Sequence, residues 1–192
     1  MNTSYKGIIR SWIIAMVLIC IVIGVSAQEG ELYPDDFTLP EEGTYPEGIA
    51  FSPDENAFYV GSAVDGTIMR GDIKSGEVEV FVPAGRDGNT AITGMKVDSF
   101  GRLWAAGAET RKIFVYNVAT GELIREYEAP PSPEMIVGYF SNGEEIPANL
   151  INDVTIAENG DVYFTDSYSD LIYRITSTAD DLGELEVWLT EL

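Results

Sequence analysis

The chain contains no histidine, a single cysteine, and only 11 basic residues against 32 acidic ones. Without histidine, this chain cannot build a Ser-His-Asp or Cys-His nucleophile, nor a histidine-zinc centre. Any metal it holds must take oxygen ligands, which suits calcium or magnesium. The one cysteine, Cys20, lies in an apolar run near the N-terminus, so residues 28–192 contain no disulfide and must be held by packing. The formal charge is −21; residues 1–27 carry two of the bases and none of the acids, which leaves −23 on the remainder. Nucleic acid and anionic membrane surfaces both require clustered cations, so neither is an expected partner. After residue 27 no long stretch carries a 3.6-residue apolar period, so helix is nearly excluded.

The N-terminus is a targeting segment. Lys6 and Arg10 precede an almost unbroken apolar run of 14 residues, Trp12 to Val25, and Val25-Ser26-Ala27 supplies small residues at −3 and −1. Residues 1–27 therefore read as a signal peptide, with secretion or a periplasmic location expected. The alternative, an uncleaved N-terminal membrane anchor, would need about 20 apolar residues. Residues 28–44 form an acidic, proline-containing segment in which Asp36 to Leu39 could make a short strand. Residues 45–192 form the folded domain.

Three stretches of this domain repeat. They are GIAFSPDENAFYVGS (48–62), GMKVDSFGRLWAAGA (94–108) and DVTIAENGDVYFTDS (153–167). In each, two apolar runs flank an Asp/Asn/Gly turn, which is a hairpin signal. A third strand follows in each unit (66–73, 112–118, 170–175), then a fourth after a turn (76–81, 121–127, 183–189). Val78, Val80 and Ile124 alternate with Glu77, Glu79 and Arg125, so the fourth strand has one wet face and is outermost. Four-stranded units repeating at 46 and then 59 residues predict an all-β fold, a β-propeller. About three blades are present, near 45–88, 89–130 and 148–192, with a long loop at 130–149. That loop carries four prolines and several apolar residues, and reads as a surface loop or as a lid over the propeller mouth. Trp104, Tyr163 and Phe164 are expected in the packing between blades.

In a propeller the innermost strands ring a central axis. Aligning the units places Glu47, Thr93 and Asn152 at one equivalent position, immediately before the repeat. Asp153 and, at the end of a second strand, Asp166 also fall where they could line the channel. Oxygen-bearing side chains at one level of such a ring could hold a hard cation.

Two of these stretches resemble a known family. YPEGIAFSP (45–53) is similar to the first-blade motif of the regucalcin/gluconolactonase family, and NDVTIAENGDVYFTDS (152–167) is similar to its Asn-Asp…Tyr-Phe-Thr-Asp blade. The resemblance implies a six-bladed propeller with a divalent cation, often calcium, on its axis, and hydrolysis of lactones or related small-molecule esters. It implies that Glu47 and Asn152 are metal ligands. The catalytic residue is not assigned, because the family's later ligands and base lie in blades beyond the third. Three blades are the N-terminal half of such a ring, so the chain is expected to act as part of a longer protein, with self-association through the open blade faces as the alternative. The competing expectation is a non-catalytic binding propeller of the NHL kind, at the cell surface or in the periplasm.

Overall fold

The computed structural model describes residues 33–40, 43–139, 141 and 143–190. The signal peptide expected at 1–27 lies outside them. Among the described residues no helix is long and apolar enough to cross a membrane.

Among the described residues, twelve strands form three antiparallel four-stranded sheets. The first is β1 (Pro46–Ser52), β2 (Ala57–Ser62), β3 (Ile68–Asp72) and β4 (Val78–Val82). The second is β5 (Met95–Val97), β6 (Arg102–Ala106), β7 (Lys112–Asn117) and β8 (Leu123–Glu128). The third is β11 (Ile151–Ile156), β12 (Val162–Asp166), β13 (Leu171–Ser177) and β14 (Leu182–Thr190). In each, strand order follows chain order, so every sheet is a meander. The three sheets are blades of an incomplete, open β-propeller.

Turn chemistry sets the strand boundaries. Between β3 and β4, and again between β7 and β8, a side chain accepts two successive amides. Asp72 Oδ1 accepts from Lys74 N and Ser75 N, and Asn117 Oδ1 accepts from Ala119 N and Thr120 N. The following Gly76 and Gly121 have φ of 80° and 70°, a conformation that a Cβ would penalise.

The blades pack face to face through two cores. Between the first and second lie Tyr59, Ile68, Met95, Leu103, Phe114 and Tyr116. Between the second and third lie Trp104, Ile113, Val115, Phe164, Tyr173 and Ile175. Trp104 and Phe164 are thus inter-blade core, whereas Tyr163 is only half-buried, on the outward face of the third blade against Trp188, with ring centroids 4.9 Å apart. A polar clasp crosses the second joint. Asp98 Oδ2 accepts from Arg102 Nε at 2.6 Å and Trp104 Nε1 at 2.8 Å, while the other end of Arg102 donates to Ser177 Oγ and Thr178 O. Asp98 thus serves both the β5–β6 turn and the joint between blades.

Two segments depart from the sequence reading. Residues 36–39 form no strand; instead the Phe37 ring sits edge-on to Phe58, with centroids 4.8 Å apart. The stretch at 130–149 is not an irregular loop but carries a hairpin of β9 (Met135–Val137) and β10 (Glu145–Pro147). Three-residue strands are too short to show alternation, and Pro147 argued against a strand; at the edge of a two-stranded ribbon its missing N–H is tolerated.

Candidate functional site

The inner strands start with a shared irregularity. In β1, Pro46 pairs with Ser62 but Ile49 pairs with Val60, so one extra residue is inserted at Glu47-Gly48. In β11, Ile151 pairs with Asp166 but Val154 with Phe164, which inserts one at Asn152-Asp153. Ahead of β5, Thr93 N donates to Ala106 O and Ala106 N donates to Gly94 O, so Thr93-Gly94 together face one residue. Such bulges re-aim side chains at the ends of strands. Glu47, Thr93 and Asn152 thus hold equivalent places by strand register as well as by spacing.

The bulges also bring the inner strands together. A Cβ on Gly48 would lie 2.0 Å from Thr93 O, and one on Gly94 would lie 2.5 Å from Asp153 Oδ1. Gly94 N donates to Asn152 O at 2.7 Å. Only glycine permits this approach. The third unit has Asp153 where the first two have glycine, and there the side chain stands exposed.

Around these contacts lies a polar cleft of about 240 Å³, lined by Glu47, Gly94, Lys96, Asn152 and Asp153 among others. The Glu47 carboxyl is held above the ordinary glutamate value, first by burial and then by the Asp153 carboxylate. Residues that carry two carboxylates, one carboxamide and one ammonium therefore line one cleft. Asp153 Oδ1 accepts from Val154 N, which orients the group and leaves Oδ2 for a ligand.

Two other expected residues are committed elsewhere. Thr93 is buried, and its hydroxyl donates to Ile151 O at 3.0 Å, which ties the second blade to the third. Asp166 is also buried. Its carboxylate accepts from Leu150 N, Tyr168 N, Asn149 Nδ2 and Tyr173 OH, fixing the chain where it enters β11. Asn149 Oδ1 in turn accepts from Ser132 N, so this clasp also anchors the base of the hairpin.

Sequence reasoning did not identify Lys96. Its signal was its place in the repeat: it stands where the neighbouring units have Ala50 and Thr155, and it pairs with Trp104 as those pair with Tyr59 and Tyr163. It makes no ion pair with a described residue, although the chain is strongly acidic.

The cleft suits a hard cation in kind. Its donors are all oxygens, and a cation would relieve the repulsion that now opposes Glu47 ionisation. In number they fall short, since calcium takes 6–8 oxygens. Among the described residues no three Asp, Glu, His or Cys side chains gather closely enough to hold a metal by themselves.

Comparison with known proteins adds to this geometry. No curated protein matches the chain in sequence. Among solved structures, virginiamycin B lyase from Staphylococcus aureus is similar, with a TM-score of 0.57 and 19% identity, over 81% of this chain and 45% of that one. A gluconolactonase from Xanthomonas campestris is similar with a TM-score of 0.53 and 18% identity, over 77% of this chain and 48% of that one. The WD40 repeats of RRP9 are similar at 12% identity, with a TM-score of 0.56 over 78% of this chain and 40% of that one. These likenesses establish the propeller, and the chain spans less than half the length of each of these structures. The family model described as the SMP-30/Gluconolactonase/LRE-like region matches residues 30–144, which include Glu47, Thr93 and Lys96 and stop short of Asn152. With more than half of its length matched, this chain belongs to the SMP-30/gluconolactonase/LRE-like family.

Proposed function

We propose that the chain supplies half of the catalytic ring of an exported, calcium-dependent hydrolase of lactones or related small-molecule esters. The observation that carries this reading is the meeting of Glu47, Asn152 and Asp153 in one cleft, where burial first and the Asp153 carboxylate second hold the Glu47 carboxyl above its ordinary value. A protein gains nothing in stability from crowding two carboxylates; such an arrangement is expected where a cation or a proton-transfer step uses them.

Glu47, Asn152 and Asp153 would hold the ion, with its remaining ligands drawn from water, substrate or the far side of the ring. A bound divalent cation supplies Lewis-acid polarisation of a carbonyl and lowers the pKa of a bound water. The chain's own groups then have distinct tasks. Asp153 Oδ2 is placed to accept a proton from a water entering the cleft. Lys96 is among the residues lining the same cleft, and its ammonium would stabilise an oxyanion that develops there. The Asp166–Asn149–Ser132 clasp holds the hairpin in place beside the start of β11.

The test has two readouts. Calcium alone, titrated into the chain, should raise its melting temperature; at a hundredfold excess over Kd the gain is about 2.7 kcal/mol. Glu47→Gln should abolish that gain. In the full ring, hydrolysis of an aldonolactone should be lost on chelation and restored by calcium. A melting temperature indifferent to calcium, with hydrolysis unaffected by chelator, would refute the reading and leave a binding propeller.

A further inference from the structure

Lys96 breaks a pattern that the other bases keep. Every arginine among the described residues, and Lys112, pairs with a carboxylate. Lys96 makes no ion pair with a described residue, in a chain with 32 acids against 11 bases. Strand formation gives no reason for it, since lysine is depleted in strands. The repeat gives none either: the first and third blades carry Ala50 and Thr155 at the aligned places.

The surroundings of Lys96 are set from both sides. Its strand, β5, is the inner strand of the middle blade. Thr93 O lies against Gly48 of β1, and Gly94 N donates to Asn152 O of β11. Lys96 is exposed and lines the polar cleft with Glu47, Asn152 and Asp153. Glu47 is raised by burial and by Asp153, with no relief from Lys96, so the ammonium stands apart from the acid pair. It is available to an anion that enters the cleft.

We propose that Lys96 selects the substrate, and that the lactone or ester accepted here carries a carboxylate of its own. This assignment rests on the hydrolase reading of the cleft and narrows its substrate class. With a divalent cation held by Glu47, Asn152 and Asp153, the two carboxylates balance its charge, and Lys96 is left as a surplus of one unit. A neutral lactone leaves that unit unpaired, and a site group left unpaired is what rejects an analogue. One carboxylate matches the surplus, whereas a phosphate dianion exceeds it. Without the cation, Glu47, Asp153 and Lys96 sum to one negative charge and repel an anion. Acceptance of the substrate is therefore coupled to the metal. The acidic surface beyond the cleft does not override this, because its field is screened within about 8 Å at physiological salt.

The experiment compares the γ-lactone of glucaric acid, which carries a carboxylate, with the neutral γ-lactone of gluconic acid. It uses the full-length protein and has two readouts, hydrolysis and melting temperature. The glucaric lactone should have the higher kcat/KM, and should raise the melting temperature more than the neutral one, but only with calcium present. Lys96→Met should lower the ratio of the two kcat/KM values roughly tenfold, through KM for the glucaric lactone. Taking the ratio cancels any loss of oxyanion stabilisation, which both lactones share. Lys96→Arg should keep the preference, and salt at about 1 M should shrink it, because screening then acts within ~3 Å. Circular dichroism of the variants should stay that of the parent, since Lys96 is outside the core. A parent without preference, or a ratio and melting shift unmoved by Lys96→Met, would overturn the proposal and leave the hydrolase reading standing. The same result would follow if an acid elsewhere in the ring already paired with Lys96. Hydrolysis of neither lactone, with a melting temperature indifferent to calcium, would overturn both.

Discussion

Replacing Asp98 with Asn tests whether the joint between the second and third blades is held by a buried charge pair. Asp98 and Arg102 side chains are 3% and 8% exposed, so the pair is shielded from water. Asp98 Oδ1 accepts from Phe100 N at 2.9 Å and Arg102 N at 3.0 Å, and an Asn oxygen at that position can keep both bonds. The other position would become an NH2 group facing two donors, Arg102 Nε and Trp104 Nε1. The guanidinium would then keep Ser177 and Thr178 but lose its counter-charge. Removing one partner of a buried ion pair costs about 3–5 kcal/mol, because the other charge is left uncompensated. For a domain of this size each kcal/mol lowers Tm by about 2–4 °C, so the expected fall is roughly 6–20 °C. Differential scanning calorimetry with matched urea unfolding would measure it. Arg102→Met should cost less, since Asp98 keeps the Trp104 indole and two main-chain amides. The double substitution should fall short of the sum of the singles by about 0.5–3 kcal/mol. A fall below about 2 °C for Asp98→Asn, or strictly additive singles, would show that apolar packing alone holds the joint.

Two further outcomes follow from the cleft. Glu47 has its folded-state pKa raised, so its contribution is fully present below the ordinary value near 4.5 and is lost as pH rises through the folded value. Glu47→Gln should therefore stabilise the metal-free chain at pH 7, and the gain should vanish on acidification below the ordinary glutamate range; an unchanged or lowered Tm at pH 7 would contradict the assigned cause. Gly48→Ala places a methyl 2.0 Å from Thr93 O, so β1 and β5 must part; the cost is about 1–3 kcal/mol or more by urea unfolding, and a neutral substitution would mean that the strands are not in contact.

Most of the blade architecture was legible because each strand's side chains report its environment locally. The paired apolar runs, the Ser75-Gly76 and Thr120-Gly121 turns, and the wet face of the fourth strand are short-range signals. The hairpin at Met135–Pro147 was not legible, since its strands are three residues long and one ends in proline. The candidate site was half legible. Spacing aligned Glu47, Thr93 and Asn152, but spacing cannot report where a side chain's hydrogen bonds go. Thr93 and Asp166 carry oxygens at suitable positions, yet both are committed to holding the blades and their connections. Lys96 was hidden because a lone lysine in an inner strand has no local signature.

By itself, the sequence determined the chemical limits of this protein and its repeating unit. The absence of histidine leaves only oxygen ligands for a metal, and two-residue alternation between fixed turns dictates four-stranded sheets. Only the tertiary structure decided which oxygens remain available. Those depend on contacts between residues far apart in the chain: the bulges that press Gly48 and Gly94 against the next strand, and the Asp153 carboxylate that opposes Glu47.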